Sequence, residues 1–246
     1  MRPNILARLW RGRVLRTEIA ATFGLALPLM LGELSSILMG VVGTVMAGHL
    51  GETALAASGV AGVIFVMSML LVWGSIRMIP TPVAEAHELR DGTRVRTLLT
   101  AGLLMGLFLV IVCCTLLWIG TQYFYVLKQD PEVSRLAVSY LHIIIFSMPA
   151  LILFALLVNY LDAFEYVRLT MLVSFLGLAL DVTLNWLFVF GRFGLPRLGI
   201  NAIAMNTGIS HGVMSLILGW ILLRKRELHY FRAARILWAE VWTQTK

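Results

Sequence analysis

Residues 97–119 read TLLTAGLLMGLFLVIVCCTLLWI, twenty-three positions without one charged side chain. Wound as an α-helix, this stretch is about 35 Å long, enough to cross a hydrocarbon core of about 30 Å. Working outward in both directions, five more runs of the same kind appear: Ile19–Met46, Ala54–Ile79, Leu136–Leu161, Leu169–Phe190 and Ile200–Leu223. The breaks between them carry turn residues, namely Gly48 to Gly51, Asp91-Gly92, Asp130-Pro131, Glu165 to Arg168, and Gly191 to Gly199. In lipid every backbone polar group must find its partner within the protein, which leaves helices or closed barrels, and runs of this length are helices. The expected fold is an all-α integral membrane bundle of six transmembrane helices.

Composition agrees. Of the 246 residues, 59% are hydrophobic and 13% charged, far from the balance of a soluble domain. The net charge of +7 does not point to nucleic acid, because the basic residues stand in short clusters between apolar runs. Fifteen of the 20 lie on one side: Arg2, Arg8, Arg11, Arg13, Arg16, Arg90, Arg94, Arg96, Arg168 and six from Arg224 onward. Four lie on the other (Lys128, Arg135, Arg192, Arg197), and Arg77 falls in or near the second run. By the positive-inside rule both termini are cytoplasmic, and the expected location is the inner (plasma) membrane. Trp118, Tyr123, Phe124 and Tyr125 then fall where an outer aromatic belt belongs. The first run is too long for a cleavable signal peptide and stays as a helix. Residues 1–223 read as a six-helix unit with a cytoplasmic arm. Residues 224–246 read as a basic amphipathic tail on the membrane surface, with Phe231, Leu237, Trp238 and Val241 among its charges.

Enzyme signatures are absent. His87-Glu88 lacks the second histidine of a zinc-protease helix, and neither a glycine-rich phosphate loop nor a nucleophile elbow is present. The adjacent Cys113 and Cys114 match neither a disulfide framework nor a metal spacing. No cofactor or metal is expected beyond a coupling ion.

Polar residues inside the runs are the informative ones, because each is costly in lipid. Glu33 shares a helical stripe with Ser36, Gly40 and Thr44, either a cation or proton site or a small-residue packing seam. Asp181 and Asn185 stand one turn apart on a face with Ser174 and Gly177, where a carboxylate and an amide can hold a proton or a small cation. Thr207, His211 and Ser215 form a stripe beside Asn206 and Ser210, with His211 expected to bond between helices. Glu33 and Asp181 are the acids deepest in apolar runs, so Asp181, with Asn185 and Thr207, is the expected ion-coupling site. Glu33, with Ser36 and Met39, is expected to line a substrate cavity. Pro28 and Pro149 deprive the carbonyls of Gly24 and Ile145 of their helical donors and are the expected hinges.

Several motifs together resemble a known family. Ala26-Leu27-Pro28-Leu29, then Met39-Gly40-Val41-Val42-Gly43-Thr44-Val45-Met46-Ala47-Gly48-His49-Leu50-Gly51, is similar to the first helix of the multidrug and toxic compound extrusion (MATE) family. Ala54-Leu55-Ala56-Ala57, Thr81-Pro82-Val83-Ala84 and Asn185-Trp186-Leu187-Phe188-Val189-Phe190-Gly191 follow in family order, as do Arg192-Phe193-Gly194-Leu195-Pro196 and Leu198-Gly199. The resemblance covers one six-helix lobe of a twelve-helix, two-lobe family. It implies sodium- or proton-driven antiport of organic cations and drugs, with a second six-helix lobe or a second copy as partner. It also implies a sixth-helix threonine at Thr207. Two departures stand out: Gly43 occupies the place of a first-helix aspartate, and Asp181 and Asn185 reverse the order of an Asn–Asp pair in one branch of the family. The other reading is a lobe without transport, an inert or partner-binding membrane protein.

Overall fold

The computed structural model describes residues 12–123, 130–194 and 196–224. Among the described residues the secondary structure is helical throughout: α1 Gly12–Leu50, α2 Glu52–Ile76, α3 Pro80–Glu88, α4 Gly92–Tyr123, α5 Pro131–Ala163, α6 Val167–Phe190 and α7 Ile200–Arg224. Six stretches of these are long and apolar enough to cross a membrane, α2 and α3 sharing one of them, Glu52–Glu88. The chain is a multi-pass membrane protein. The arm before Gly12, Phe124 and Tyr125 of the aromatic belt, and the tail from Lys225 onward lie outside the described residues.

Helix ends follow the local chemistry. Asp130 caps α5, its carboxylate accepting from Glu132 N at 2.8 Å, and Pro131 supplies the first turn, where no amide donor is needed. Gly191 ends α6 at φ 66°, in the left-handed conformation that favours glycine. Leu198 N donates back to Phe188 O at 3.1 Å and holds the α6–α7 loop against its helix.

Two boundaries differ from the sequence expectation. The second run does not end at Ile79. Prolines at positions 80 and 82 have no N–H, so the carbonyls of Ile76 and Met78 lose their usual donors and the helix restarts as α3. Helix α1 begins at Gly12, inside the basic arm, and its 39 residues make it about 58 Å long. Gly24 and Leu25 line a hollow with Glu165 to Leu169 of the α5–α6 turn, so the turns before Gly24 run past that end of the bundle. Pro28 and Pro149 both lie inside unbroken helices, Pro28 buried and Pro149 exposed.

Helix α5 is the axis of the bundle. It packs most extensively along α7 and also touches α2, α3, α4 and α6. Its buried face, with Leu141, Ile144, Met148, Ile152 and Tyr160, forms the centre of the core. Lipid tails are as apolar as these side chains, so close packing and hydrogen bonds between helices hold the bundle rather than water exclusion. Tyr160 Oη donates to Leu99 O on α4 at 3.1 Å, Ser147 Oγ to Ala204 O on α7 at 3.3 Å, and Cys113 Sγ to Ser68 O on α2 at 3.4 Å. Helix α1 is peripheral. It lies along α6, and 11% of its membrane window is buried against 44% for α5.

Candidate functional site

The polar faces of α6 and α7 meet inside the bundle. On α6, Ser174, Gly177, Asp181 and Asn185 are all buried, as their spacing of three and four residues along a helix predicts. Asp181 is 1% exposed and Asn185 wholly buried. Asn185 Nδ2 donates to Asp181 Oδ2 at 2.9 Å, and Asn206 Nδ2 on α7 donates to Asn185 Oδ1 at 3.2 Å. An ionised carboxylate can only accept, so it orients the Asn185 amide, and Asn185 in turn orients Asn206. The donors thus run in one direction, from α7 to the acid.

Beyond that chain the site is short of donors. Asp181 Oδ1, Asn206 Oδ1 and Ser210 Oγ are buried without a hydrogen-bond partner. Ser210 faces the same carboxylate without the alignment of a formed bond, and Tyr140 of α5 lies within its electrostatic reach. Buried oxygens left without donors are what a proton, a water or a small hard cation satisfies. Asp181 stands nine residues from the end of α6 at Phe190, about 14 Å along the helix, well within the apolar span. Among the described residues no group of three or more His, Cys, Asp or Glu converges on one point.

Four residues picked from the sequence take other positions. Thr207 does not join Asp181 and Asn185, since its hydroxyl donates to Ile203 O of its own helix at 2.9 Å. One residue is about 100° around a helix, and the packing of α7 on α6 turns Asn206 inward in its place. His211 bonds Thr207 O on its own helix at 2.8 Å, and meets α5 only through its ring edge on Phe154, 5.3 Å between centroids. Glu33, expected to stand free in a cavity, is exposed on the outside of the unit and paired with Arg77, Nη2 to Oε1 3.0 Å. Ser36, Gly40 and Thr44 share that open face, whereas Met39 turns into the core at 8% exposed. The three residues expected to line one cavity therefore do not share a side, because a step of six places Met39 about 120° around from Glu33.

The exchange of Thr207 for Asn206 has a measurable consequence. Asn206→Leu removes the donor to a buried carbonyl oxygen and is expected to cost about 1–3 kcal/mol. Thr207→Val breaks a bond within one helix and is expected to cost less than about 1 kcal/mol. Thermal unfolding of the purified variants checks the order. A larger loss for Thr207→Val would return that threonine to the site.

The comparisons with known proteins come from three directions. A family model described as MatE matches residues 28–187, a segment that includes Asp181 and Asn185. The multidrug resistance protein NorM of Vibrio parahaemolyticus serotype O3:K6 is 30% identical over 208 residues, covering 84% of this chain and 44% of the relative. The multidrug resistance protein MdtK of Yersinia pestis (strain Pestoides F) is 28% identical over 214 residues, covering 85% of this chain and 46% of the relative. The chain thus spans about half the length of the curated relatives it matches. A crystal structure of MATE in a bent conformation superposes with a TM-score of 0.75 at 22% identity, over 84% of this chain and 45% of that one. A transporter of the MOP superfamily from Pyrococcus furiosus superposes with a TM-score of 0.70 at 21% identity, over 82% and 44%. At these identities the structural likeness concerns the fold.

Proposed function

Because this chain belongs to the MatE family, we propose that it forms one six-helix unit of a secondary multidrug exporter, in which Na⁺ or H⁺ moving inward drives small organic cations and drugs outward. The observation that carries this reading is Asp181, a carboxylate buried deep in an apolar span with one oxygen tied to Asn185 and the other unpartnered. A buried ionisable group inside a membrane segment is costly, and its usual return is an ion pathway or relay.

The arrangement suggests how one ion is felt elsewhere. A proton or sodium ion on Asp181 Oδ1 completes the donor-poor cluster and tightens α6 on α7 through Asn185 and Asn206. Helix α1 lies along α6, and Gly43 touches α7 at Ile203, so a shift between α6 and α7 reaches α1. Pro28, which frees the Gly24 carbonyl, is where α1 bends most cheaply. Ion and cargo then oppose each other through two arrangements of the same helices, a coupling between sites that works in both directions. The termini face the cytoplasm, and a second six-helix unit stands across the cargo path. Glu33 is not a free carboxylate for a cationic cargo, because Arg77 already holds it.

A second reading, a unit without transport, has one observation in its favour. The family resemblance puts an aspartate at position 43, and here a Cβ at Gly43 would stand 3.1 Å from Ile203 Cγ2. The space for that first-helix carboxylate is taken.

Efflux from a drug-sensitive host separates the two readings. The chain is expressed alone and together with a second six-helix unit, and accumulation of a fluorescent organic cation is followed. Export that stops when the cation gradient is collapsed is expected. No export in either arrangement establishes the second reading.

A further inference from the structure

The Glu33–Arg77 pair is in an unusual place. Glu33 lies nine residues along α1 from Gly24, which is level with the α5–α6 turn, and so about 14 Å into the span from that end. Leu50, at the other end, is 17 residues away, about 26 Å. Arg77 sits at the α2–α3 break, with all of α3 still between it and the turn at Leu89. Both charges therefore lie at hydrocarbon depth, yet their side chains are 59% and 69% exposed, for Glu33 and Arg77 respectively. Lipid does not tolerate two such groups on its face, so something other than lipid covers them.

The pattern around the pair says what. Ser36, Gly40 and Thr44 keep the centre of the face small, and nothing lies within 4 Å of where a Cβ on Gly40 would stand. Met30, Ile37 and Val41 flank the stripe and are half to two-thirds exposed. Small residues in the middle with apolar ones beside them are what close helix-to-helix approach in a membrane uses. The face also complements itself. It carries one positive and one negative group 3.0 Å apart and hence at one depth. An even number of spans puts both ends of the unit on one side, so two copies share an orientation about an axis along the membrane normal. Such an axis preserves depth and sets Glu33 of each copy level with Arg77 of the other.

We propose that the α1–α2 face is a contact surface between two copies of this chain, in which the Glu33 and Arg77 of one copy pair with the Arg77 and Glu33 of the other. The proposal rests on the reading above in naming what stands opposite the six-helix unit; the pairing itself rests on depth, exposure and charge.

Charge segregation tests it. Glu33→Arg places two positive groups on the face, and Arg77→Glu places two negative ones. Single-molecule photobleaching in dilute lipid bilayers is expected to show the parent as a dimer and each variant alone at least ten-fold depleted in dimer. A one-to-one co-expression of the two variants under different tags is expected to restore dimers that carry both tags, which pairing within one copy cannot produce. A second measurement does not depend on either variant folding alone: Ile37→Cys in the parent background is expected to form a copy-to-copy disulfide in oxidised membranes, with the unsubstituted chain as control. A monomeric parent, a mixture that fails to pair, or no cross-link at Ile37→Cys overturns the proposal. A dimer that exports nothing overturns the transport reading and leaves the interface standing; a monomer that exports with an unrelated second unit does the reverse.

Discussion

Asp181→Asn is expected to reduce gradient-driven efflux to the level of the host without the chain, while the protein still inserts and folds. The substitution keeps the shape of the side chain. It also keeps the contact with Asn185, because the new amide oxygen can accept from Asn185 Nδ2 where Oδ2 does so now. What it removes is the charge, and with it the ability to exchange a proton or sodium ion at Oδ1. Stability should stay level or rise, since the native acid is buried with one oxygen unsatisfied and the neutral amide avoids most of that desolvation penalty. The measurement pairs drug accumulation in the sensitive host with the thermal midpoint of the purified variant. Unchanged efflux with Asp181→Asn would show that the coupling ion binds elsewhere.

Gly208→Leu is expected to have the largest effect on stability. Gly208 on α7 backs directly onto Ser147 of α5, at the most extensive helix contact in the bundle. A Cβ there would collide with Ser147 Oγ, stand 2.7 Å from Ser147 Cβ, and come within 3.3 Å of Ser147 Cα. The last of these is backbone, which no rotamer change can move, so the two helices must separate. Separation also breaks the bond from Ser147 to Ala204 O and disturbs Asn206, two residues before the glycine. Overpacking in a tight core costs about 1–3 kcal/mol and occasionally more, and this site belongs at or above the upper end. Gly177 on α6 is the control. Its Cβ would meet only the side-chain end of Met214, which is flexible and can be displaced, so Gly177→Ala should cost less than about 1 kcal/mol. Thermal midpoints and the monodisperse fraction in detergent rank the variants. A Gly208→Leu protein as stable as the parent would mean that α5 and α7 are not in contact there.

The boundary between what was legible in the chain and what was not runs between local and relational properties. Hydropathy and the helical period belong to a segment by itself. The six apolar spans, the cap at Asp130-Pro131, the glycine stop at Gly191 and the shared face of Ser174, Gly177, Asp181 and Asn185 could therefore be read directly. The restart at α3 was present as two prolines, at positions 80 and 82, and was passed over because hydropathy alone does not register a missing N–H. Tyr140 had no signal of its own; it approaches Asp181 because α5 passes beside α6 and α7.

The sequence determined on its own that this chain crosses a membrane as helices and that Asp181 and Asn185 share one face, because residues four apart on a helix are neighbours however the helix packs. It did not determine which neighbour on α7 reaches them. Asn206 and Thr207 differ by about 100° of rotation, and only the seating of α7 against α6 puts one inside and leaves the other bonded to its own backbone. Nor did it decide between a buried and an open Glu33, since its partner is 44 residues away on another helix. Burial is a property of the packed set of helices, and a polar residue's meaning changes with the side of the bundle on which that packing leaves it.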